Sequence, residues 1–232
     1  MKPYLTVLKT GYAEQTIERS RFIGHVFPAK TVAECEGFFA AIRKDHRQAT
    51  HNVPAYVLGD AFQSQWASDD GEPHGTSGAP IVYMLVGEGI SDVCVMVTRY
   101  FGGLKLGTGG LVRAYTGTAR MALIAAGLGR VSEKLMLVFE TDYPGHNRIK
   151  AAAGAADAVG TEPGKNAALN RPSFIINSTE YTDKVKVTLA CEPDDRDKTL
   201  RDVREIHPGI RLVSERTETV TIRLPAEDGK RR

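Results

Sequence analysis

The chain has 232 residues, of which 42% are apolar and 25% charged, and its formal net charge is +2. This length predicts one large or two small domains, and the near-neutral charge argues against general attraction to nucleic acid or membranes. Three widely spaced cysteines argue against a disulfide framework or a structural zinc site. Without a signal peptide or a membrane-length apolar run, we expect a cytoplasmic protein.

The first half of the chain predicts alternating strands and helices. A T-x-x-E capping box at Thr31–Glu34 marks the start of an amphipathic helix over 32–45. A nearly continuous apolar run predicts a buried strand at 92–100. Residues 60–80, between the predicted helix and this strand, are rich in turn residues. The remaining predictions are strands at 17–28 and 55–59, a short helix opened by Pro80, and a helix with an apolar stripe from Leu111 to Ala126.

The second half predicts a ferredoxin-like domain. Its strands are predicted at 134–142, 173–179, 184–191 and up to Leu224, and its helices at 144–159 and 193–206. The order is β-α-β-β-α-β. The predicted fold class is therefore α+β with two domains, at residues 1–130 and 131–225. The predicted flexible parts are a loop at 160–172 and a tail at 226–232.

Residues 68–78, which we call the acidic loop, hold three carboxylates and a histidine within six residues. The carboxylates are Asp69, Asp70 and Glu72. One interpretation is a tight turn whose carboxylates cap backbone N–H groups. The other is a set of oxygen ligands for an ion such as magnesium.

Residues 101–110, which we call the glycine segment, contain five glycines in nine positions. A helix follows, so the backbone N–H groups at its start, those of 109–111, favour an anion. The alternative is a glycine loop that only packs closely against a neighbouring strand. The candidate residues for binding phosphate or RNA are Arg99, Lys105, Gly107, Thr108, Gly109, Gly110 and Arg113. We expect Gly107, Gly109 and Gly110 to be required for the backbone conformation or for close approach, and we expect the two motifs to meet in one cleft.

Other polar residues give weaker signals. His46 and His51 are five residues apart, which is not the spacing of two metal ligands on one helix face, so we interpret both as structural. Trp66, the single tryptophan, is interpreted as a core anchor. No nucleophile stands beside a convincing base, which favours a protein that is not an enzyme.

The two motifs resemble those of the IMPACT/YigZ family. The matching stretches are SDDGEPHGTSGAP at 68–80 and VMVTRYFGGLKLGTGGLVRAY at 95–115, with RSRFIGHVFP at 19–28 and ATHN at 49–52 in support. The resemblance implies an N-terminal domain of the type found in ribosomal proteins and in the fourth domain of elongation factor G, followed by a ferredoxin-like domain. It also implies a link to translation, because eukaryotic members regulate translation by competing for the activator of an initiation-factor kinase.

Three functions stay open. The first is a translation-linked regulatory protein that binds RNA, the ribosome or a translation-associated partner. The second is binding or turnover of a phosphorylated small molecule, assisted by magnesium, between the acidic loop and the glycine segment. The third is a protein-interaction module, which would expose a sizeable apolar patch.

Overall fold

The computed structural model describes residues 1–157 and 173–224. The chain forms two compact units. Among the described residues, one unit contains Met1–Ser132 and 221–224, and the other contains 133–157 and 173–220. The predicted α+β class with two domains is confirmed.

The predicted domain limits, 1–130 and 131–225, stay a prediction that proteolysis can test. The predicted loop at 160–172 and the predicted tail at 226–232 lie outside the described residues.

The first unit is built on an antiparallel sheet. Its elements are β1 (Tyr4–Val7), β2 (Gly11–Ile17), β3 (Ser20–Pro28), α1 (Val32–Asp45), β4 (His51–Leu58), β5 (Ser64–Ala67), α2 (Gly78–Gly87), β6 (Val93–Tyr100) and α3 (Gly107–Ala126). Five of the strands form the sheet in the order β2-β3-β6-β4-β5, and every pairing between neighbours is antiparallel.

Helices cover both faces of this sheet, which explains the apolar run of its central strand β6. Val93, Val95 and Val97 pack into the core that α2 and α3 complete. Cys94 and Met96 point the other way, into a smaller core with α1. Both faces of β6 are thus shielded from solvent, and the prediction of a buried strand is confirmed.

The predicted strand at 17–28 is in fact the second arm of a hairpin. β2 pairs with β3 up to Ile17 and Ser20, so Glu18 and Arg19 form a two-residue turn. Both turn residues have positive φ, 45° and 64°, as the right-handed twist of hairpin strands requires. Glycine or asparagine usually marks such a turn, and because the sequence has neither at 18–19, the pattern missed β2.

The second unit has the ferredoxin-like order, as predicted. Its elements are β7 (Leu128–Thr141), α4 (Tyr143–Asp157), β8 (Phe174–Tyr181), β9 (Val185–Cys191), a 3₁₀ turn (Pro193–Asp195), α5 (Arg196–Ile206) and β10 (Arg211–Arg223). The strands lie in the order β10-β7-β9-β8, and β7 begins within the first unit, where it pairs with β1.

The core of the second unit lies between its sheet and its two helices. Leu137, Phe139 and Leu189 of the sheet are buried against Ile149 of α4 and Val203 of α5. No helix in the described ranges combines the length and apolar character that crossing a membrane requires.

Candidate functional site

Asp69 of the acidic loop caps the start of α2. One carboxylate oxygen accepts hydrogen bonds from the Ser77 and Gly78 N–H groups, at 3.2 and 2.9 Å, and from the Ser77 hydroxyl at 2.7 Å; the other accepts from the Gly75 N–H at 2.8 Å. Burial alone raises the pKa of Asp69, but these hydrogen bonds outweigh it and lower the pKa below its usual value. Asp69 is therefore a structural carboxylate.

Asp70 fastens the acidic loop to β4. Its carboxylate accepts a hydrogen bond from the Asn52 N–H at 2.6 Å. The Nδ1 atom of His51 lies 2.8 Å from the Asp70 carbonyl oxygen. Because a carbonyl only accepts, Nδ1 carries a proton, and in the neutral ring Nε2 is an acceptor. The loop backbone thus sets the tautomer of His51.

Glu72 is buried beneath the loop and holds two partners through one oxygen. Its Oε1 atom accepts from Nη1 of Arg99 and from the hydroxyl of Tyr115, each at 2.7 Å. Nε2 of His51 is 3.8 Å from the same oxygen. Burial, and then the bond to the carboxylate, raise the pKa of Tyr115 well above its usual value, so the phenol stays a donor.

Arg99 joins the two motifs. Its Nη2 donates to the Ser20 hydroxyl at 3.2 Å, and the same hydroxyl accepts the Gly102 N–H of the glycine segment. Its guanidinium carbon lies 5.3 Å from the Phe22 ring centre and 5.2 Å from that of Phe101. Arg99 is 4% exposed, and its Nε–H has no acceptor among the described residues.

The glycine segment differs from the prediction because α3 begins earlier, at Gly107 rather than near Leu111. Leu106 is the N-cap, no side chain bonds to the cap, and the first turn holds no acidic residue. The unpaired N–H groups of the helix start are therefore those of residues 106–109, instead of the predicted 109–111.

The three glycines singled out at the helix start differ in what a side chain there would meet. Gly107 has φ +69°, and a Cβ at Gly110 would lie 3.0 Å from the Cβ of Leu106. Gly109 has no positive φ, and its Cβ would meet nothing closer than Arg113 Nη1, at 3.6 Å. The backbone at Gly109 therefore does not need glycine among the described residues, and the requirement for close approach of a ligand stays a prediction.

The acidic loop and the glycine segment meet at one cavity of about 440 Å³. Its lining combines polar and apolar residues. The polar residues are Thr50, His51, Glu72, Arg99, Lys105 and Thr108, and the other lining residues are Gly71, Pro73, Phe101, Leu106, Gly107 and Leu111.

Two predicted cations stay outside ion pairs. Lys105 and Arg113 are exposed, and neither forms a hydrogen bond or ion pair with the described residues. Arg113 does not line the shared cavity. It lines a neighbouring cavity of about 460 Å³ between the β2–β3 hairpin and α3, to which Lys105 also contributes. Lys105 therefore stands between the two cavities.

The carboxylates of the acidic loop are engaged by other groups of the protein. The described residues contain no group of three or more His, Cys, Asp or Glu side chains placed to bind a metal ion. Asp69 and Asp70 already accept backbone N–H groups, and Glu72 faces an arginine. This geometry supports the capping-turn interpretation of the acidic loop, and the magnesium alternative stays a prediction.

Sequence reasoning missed several residues of the site. The apolar stripe of α3 gives no sign that Tyr115, which lies on it, bonds to Glu72, and the spacing of His46 and His51 indicates only structural roles. Ser20 gave no signal, because it is joined to Arg99 across 79 positions. The interpretation of Trp66 as a core anchor is wrong: it is 45% exposed, since β5 is the edge strand and Tyr56 stacks on one side of the indole.

Comparisons with known proteins identify relatives over much of the chain. The family model of the Impact N-terminal domain matches residues 18–123, which include both motifs. The IMPACT family member YvyE of Bacillus subtilis is 44% identical over 149 residues, 63% of this chain and 68% of that protein. The IMPACT family member YigZ of Escherichia coli is 36% identical over 145 residues, 62% of this chain and 71% of that protein.

One solved structure is similar to this protein over most of the chain. The crystal structure of a hypothetical protein is 27% identical, with a TM-score of 0.54, and the alignment covers 92% of this chain and 98% of that one. The resemblance read from the two motifs is confirmed, and the chain belongs to the IMPACT family.

Proposed function

We propose that this protein is a translation-linked regulator whose first unit binds RNA at the glycine segment. The translation link follows from what the family resemblance implies, and the resemblance to ribosomal proteins is part of the same proposal. The observation that carries RNA binding is the uncapped start of α3 with Lys105 and Arg113 beside it. A helix N-terminus with nearby cations attracts the phosphate groups of a nucleic acid.

The local arrangement of charge supports binding at this place. Glu14 and Glu88 neutralise Arg21 and Arg120 at distances typical of ion pairs, whereas Lys105 and Arg113 keep their charge for a ligand. The exposed Arg19, in the turn next to Gly102, adds a third cation. The exposed ring of Phe101 offers a surface on which a base stacks.

The small excess of charge limits the strength of this interaction. Residues 1–130 hold 13 basic and 11 acidic residues, so only a few phosphates are contacted at once. For single-stranded nucleic acid, a plot of the logarithm of the binding constant against the logarithm of the salt concentration has a slope of about −0.7 for each phosphate contacted. Three cations therefore give a slope of about −2.

Fluorescence anisotropy with a labelled single-stranded oligoribonucleotide, measured from low to moderate salt, tests the proposal. We expect a slope of about −2 for the full chain, reduced by about 0.7 in Lys105→Gln and in Arg113→Gln. Arg43→Gln is the matched control, because Arg43 is exposed on α1, which covers the other face of the sheet. Equal slopes in all three variants, or no binding at low salt, would contradict RNA binding at this segment.

The ribosome and translation-associated proteins are the other partners that the resemblance implies. Sedimentation of the protein with purified ribosomes, before and after washing in high salt, separates these cases from free RNA. Cosedimentation that Lys105→Gln abolishes supports the same surface. Cosedimentation that neither salt nor Lys105→Gln affects assigns binding to another surface.

A further inference from the structure

We infer that the 440 Å³ cavity between the acidic loop and the start of α3 binds a small organic phosphate of the nucleoside monophosphate class, without a metal ion. This goes beyond the proposed RNA binding, because it rests on buried groups and apolar lining residues rather than on exposed cations alone.

The buried guanidinium of Arg99 supplies the first observation. Arg99 lines the cavity, is almost fully buried, and has an Nε–H without an acceptor among the described residues. An unsatisfied buried donor is unfavourable, and more so on a charged group. Its other two nitrogens are occupied by Glu72 and Ser20. A guanidinium has five N–H donors, and these two bonds use only two of them, so Arg99 keeps N–H groups for an acceptor oxygen of a ligand in the cavity that it lines.

The start of α3 supplies a second, independent group of donors on the same cavity. Gly107 and Thr108 line it, and neither a side-chain cap nor an acidic residue of the first turn competes for their N–H groups. Lys105 lines the cavity as well. The positive end of the helix dipole and one lysine together favour a phosphate at this end of the cavity.

The apolar residues of the lining favour a ligand with an aromatic ring. Pro73, Leu106 and Leu111 line the cavity, and the ring of Phe101 is 46% exposed. Sites for organic ligands typically measure about 300–1,000 Å³ and combine apolar walls with a few polar groups. The volume of this cavity lies within that range and far exceeds the space that inorganic phosphate fills.

His51 adds a preference for hydroxyl groups. Its Nδ1–H is committed to the Asp70 carbonyl, so the Nε2 lone pair of the neutral ring accepts from a ligand hydroxyl in the cavity. A ribose supplies such hydroxyls. With the anion at α3, the hydroxyls at His51 and the ring on Phe101, a nucleoside monophosphate meets all three groups.

The charges of the site make a metal ion unnecessary. The Glu72 carboxylate is neutralised by Arg99 at 2.7 Å, which leaves Lys105 and the helix dipole as the net positive charge facing the ligand. A phosphate therefore binds directly to protein donors, and chelators should not affect its affinity.

Isothermal titration calorimetry of the full chain tests the inference with adenosine 5′-monophosphate, ribose 5-phosphate, adenosine and inorganic phosphate, each with and without EDTA. We expect adenosine 5′-monophosphate to bind about tenfold or more tightly than inorganic phosphate, with no effect of EDTA. Phe101→Ala should weaken adenosine 5′-monophosphate more than ribose 5-phosphate. Equal affinities for all phosphates, or no heat with any of them at millimolar concentration, would overturn the inference.

Thr108→Asp is the decisive variant, because Arg99 variants are expected to unfold. A carboxylate in the first turn stabilises the helix but repels a phosphate, so the variant should fold as well as wild type and lose nucleotide binding. Ala41→Glu is the matched control, since it adds one negative charge at an exposed position of α1. Unchanged nucleotide binding in Thr108→Asp would contradict the site.

The two proposals fail separately. If adenosine 5′-monophosphate binds and the oligoribonucleotide does not, the inference stands and the proposed RNA binding is wrong. If the oligoribonucleotide binds and the mononucleotide neither binds nor competes with it, the proposed function stands and the inference is wrong.

Discussion

The acidic loop and the glycine segment line the same cavity but use their polar groups in opposite ways. In the acidic loop, Asp69 and Asp70 accept backbone N–H groups and Glu72 neutralises Arg99. In the glycine segment, Lys105 has no ionic partner among the described residues, and α3 starts without a side-chain cap. The carboxylates of one motif are bonded within the protein, whereas Lys105 and the N–H groups at the start of α3 have no side-chain partner among the described residues.

Whether a charged side chain finds a partner depends on the backbone groups near it in the sequence. Carboxylates close in sequence to glycines and a helix start have backbone donors within reach, so they serve the fold first. Lysines beside a helix N-terminus have no such local partner, because the helix end carries the same sign of partial charge. Substitutions in the acidic loop should therefore lower stability, and substitution of Lys105 in the glycine segment should weaken binding.

The largest effect on stability is expected for Glu72→Ala. The substitution leaves the Arg99 charge buried without its carboxylate, which costs about 3–5 kcal/mol. The Tyr115 hydroxyl also loses its acceptor. Urea unfolding followed by circular dichroism measures the change in the free energy of unfolding.

Glu88→Ala is the control for that measurement. Glu88 pairs with Arg120 on the surface, and exposed ion pairs contribute about 0–1 kcal/mol. If both variants lost the same small amount of stability, the Glu72–Arg99 pair would not be the anchor that its burial implies.

Asp69→Asn should cost about 2 kcal/mol, because an amide cannot replace a carboxylate that accepts three backbone N–H groups. The lowered pKa of Asp69 also predicts a pH dependence. A carboxyl whose pKa is lower in the folded state stabilises the fold fully above its unfolded pKa, which is about 3.9 for Asp. This stabilisation is lost as the pH falls through the pKa of the folded state.

Unfolding free energies of wild type and Asp69→Asn, measured between pH 6 and pH 3, test this sign. The gap between the two proteins should narrow as the pH falls below about 4. A gap that stayed constant would mean that the Asp69 hydrogen bonds do not require the ionised carboxylate.

Gly107→Ala and Gly109→Ala should change stability in opposite directions. Gly107 has φ +69°, so alanine there costs about 1 kcal/mol. Gly109 sits in the first turn of α3 without close neighbours, so alanine stabilises the helix by about 0.5 kcal/mol. Differential scanning calorimetry measures the change in stability of each variant. If both variants were destabilised or both stabilised, α3 would start at another residue.

The smallest effect on stability is expected for Lys105→Gln. Lys105 is exposed and forms no ion pair with the residues that the structure describes. The unfolding free energy of the variant should therefore stay within about 0.5 kcal/mol of that of wild type, while phosphate binding weakens. A large loss of stability would show that Lys105 belongs to the fold and would remove the contrast between the two motifs.

Local signals in the sequence predicted the elements that local physics determines. The Thr31–Glu34 capping box is present and begins α1 as expected. The stripe from Leu111 to Ala126 lies on the buried face of α3, and the alternation of Val185, Val187 and Leu189 predicted β9.

Contacts between distant residues were beyond such signals. The bond between Tyr115 and Glu72 spans 43 positions, and nothing in the helical period of α3 marks that tyrosine as polar. The helix start at Gly107 lacks a capping residue, and glycine is a poor helix former, so the pattern placed the boundary several residues late. Because the helix begins at Gly107, its unpaired N–H groups lie earlier in the chain than the sequence pattern predicts.

The guanidinium of Arg99 has a consequence for protein engineering and for natural variation. Because it joins Glu72 to Ser20, whose hydroxyl also receives the Gly102 N–H, a graft of the glycine segment onto another scaffold has to bring the glutamate and the serine with it. In relatives we expect the glutamate and the arginine to be lost together, replaced by apolar residues of similar volume, since either charge alone is costly in a dry interior.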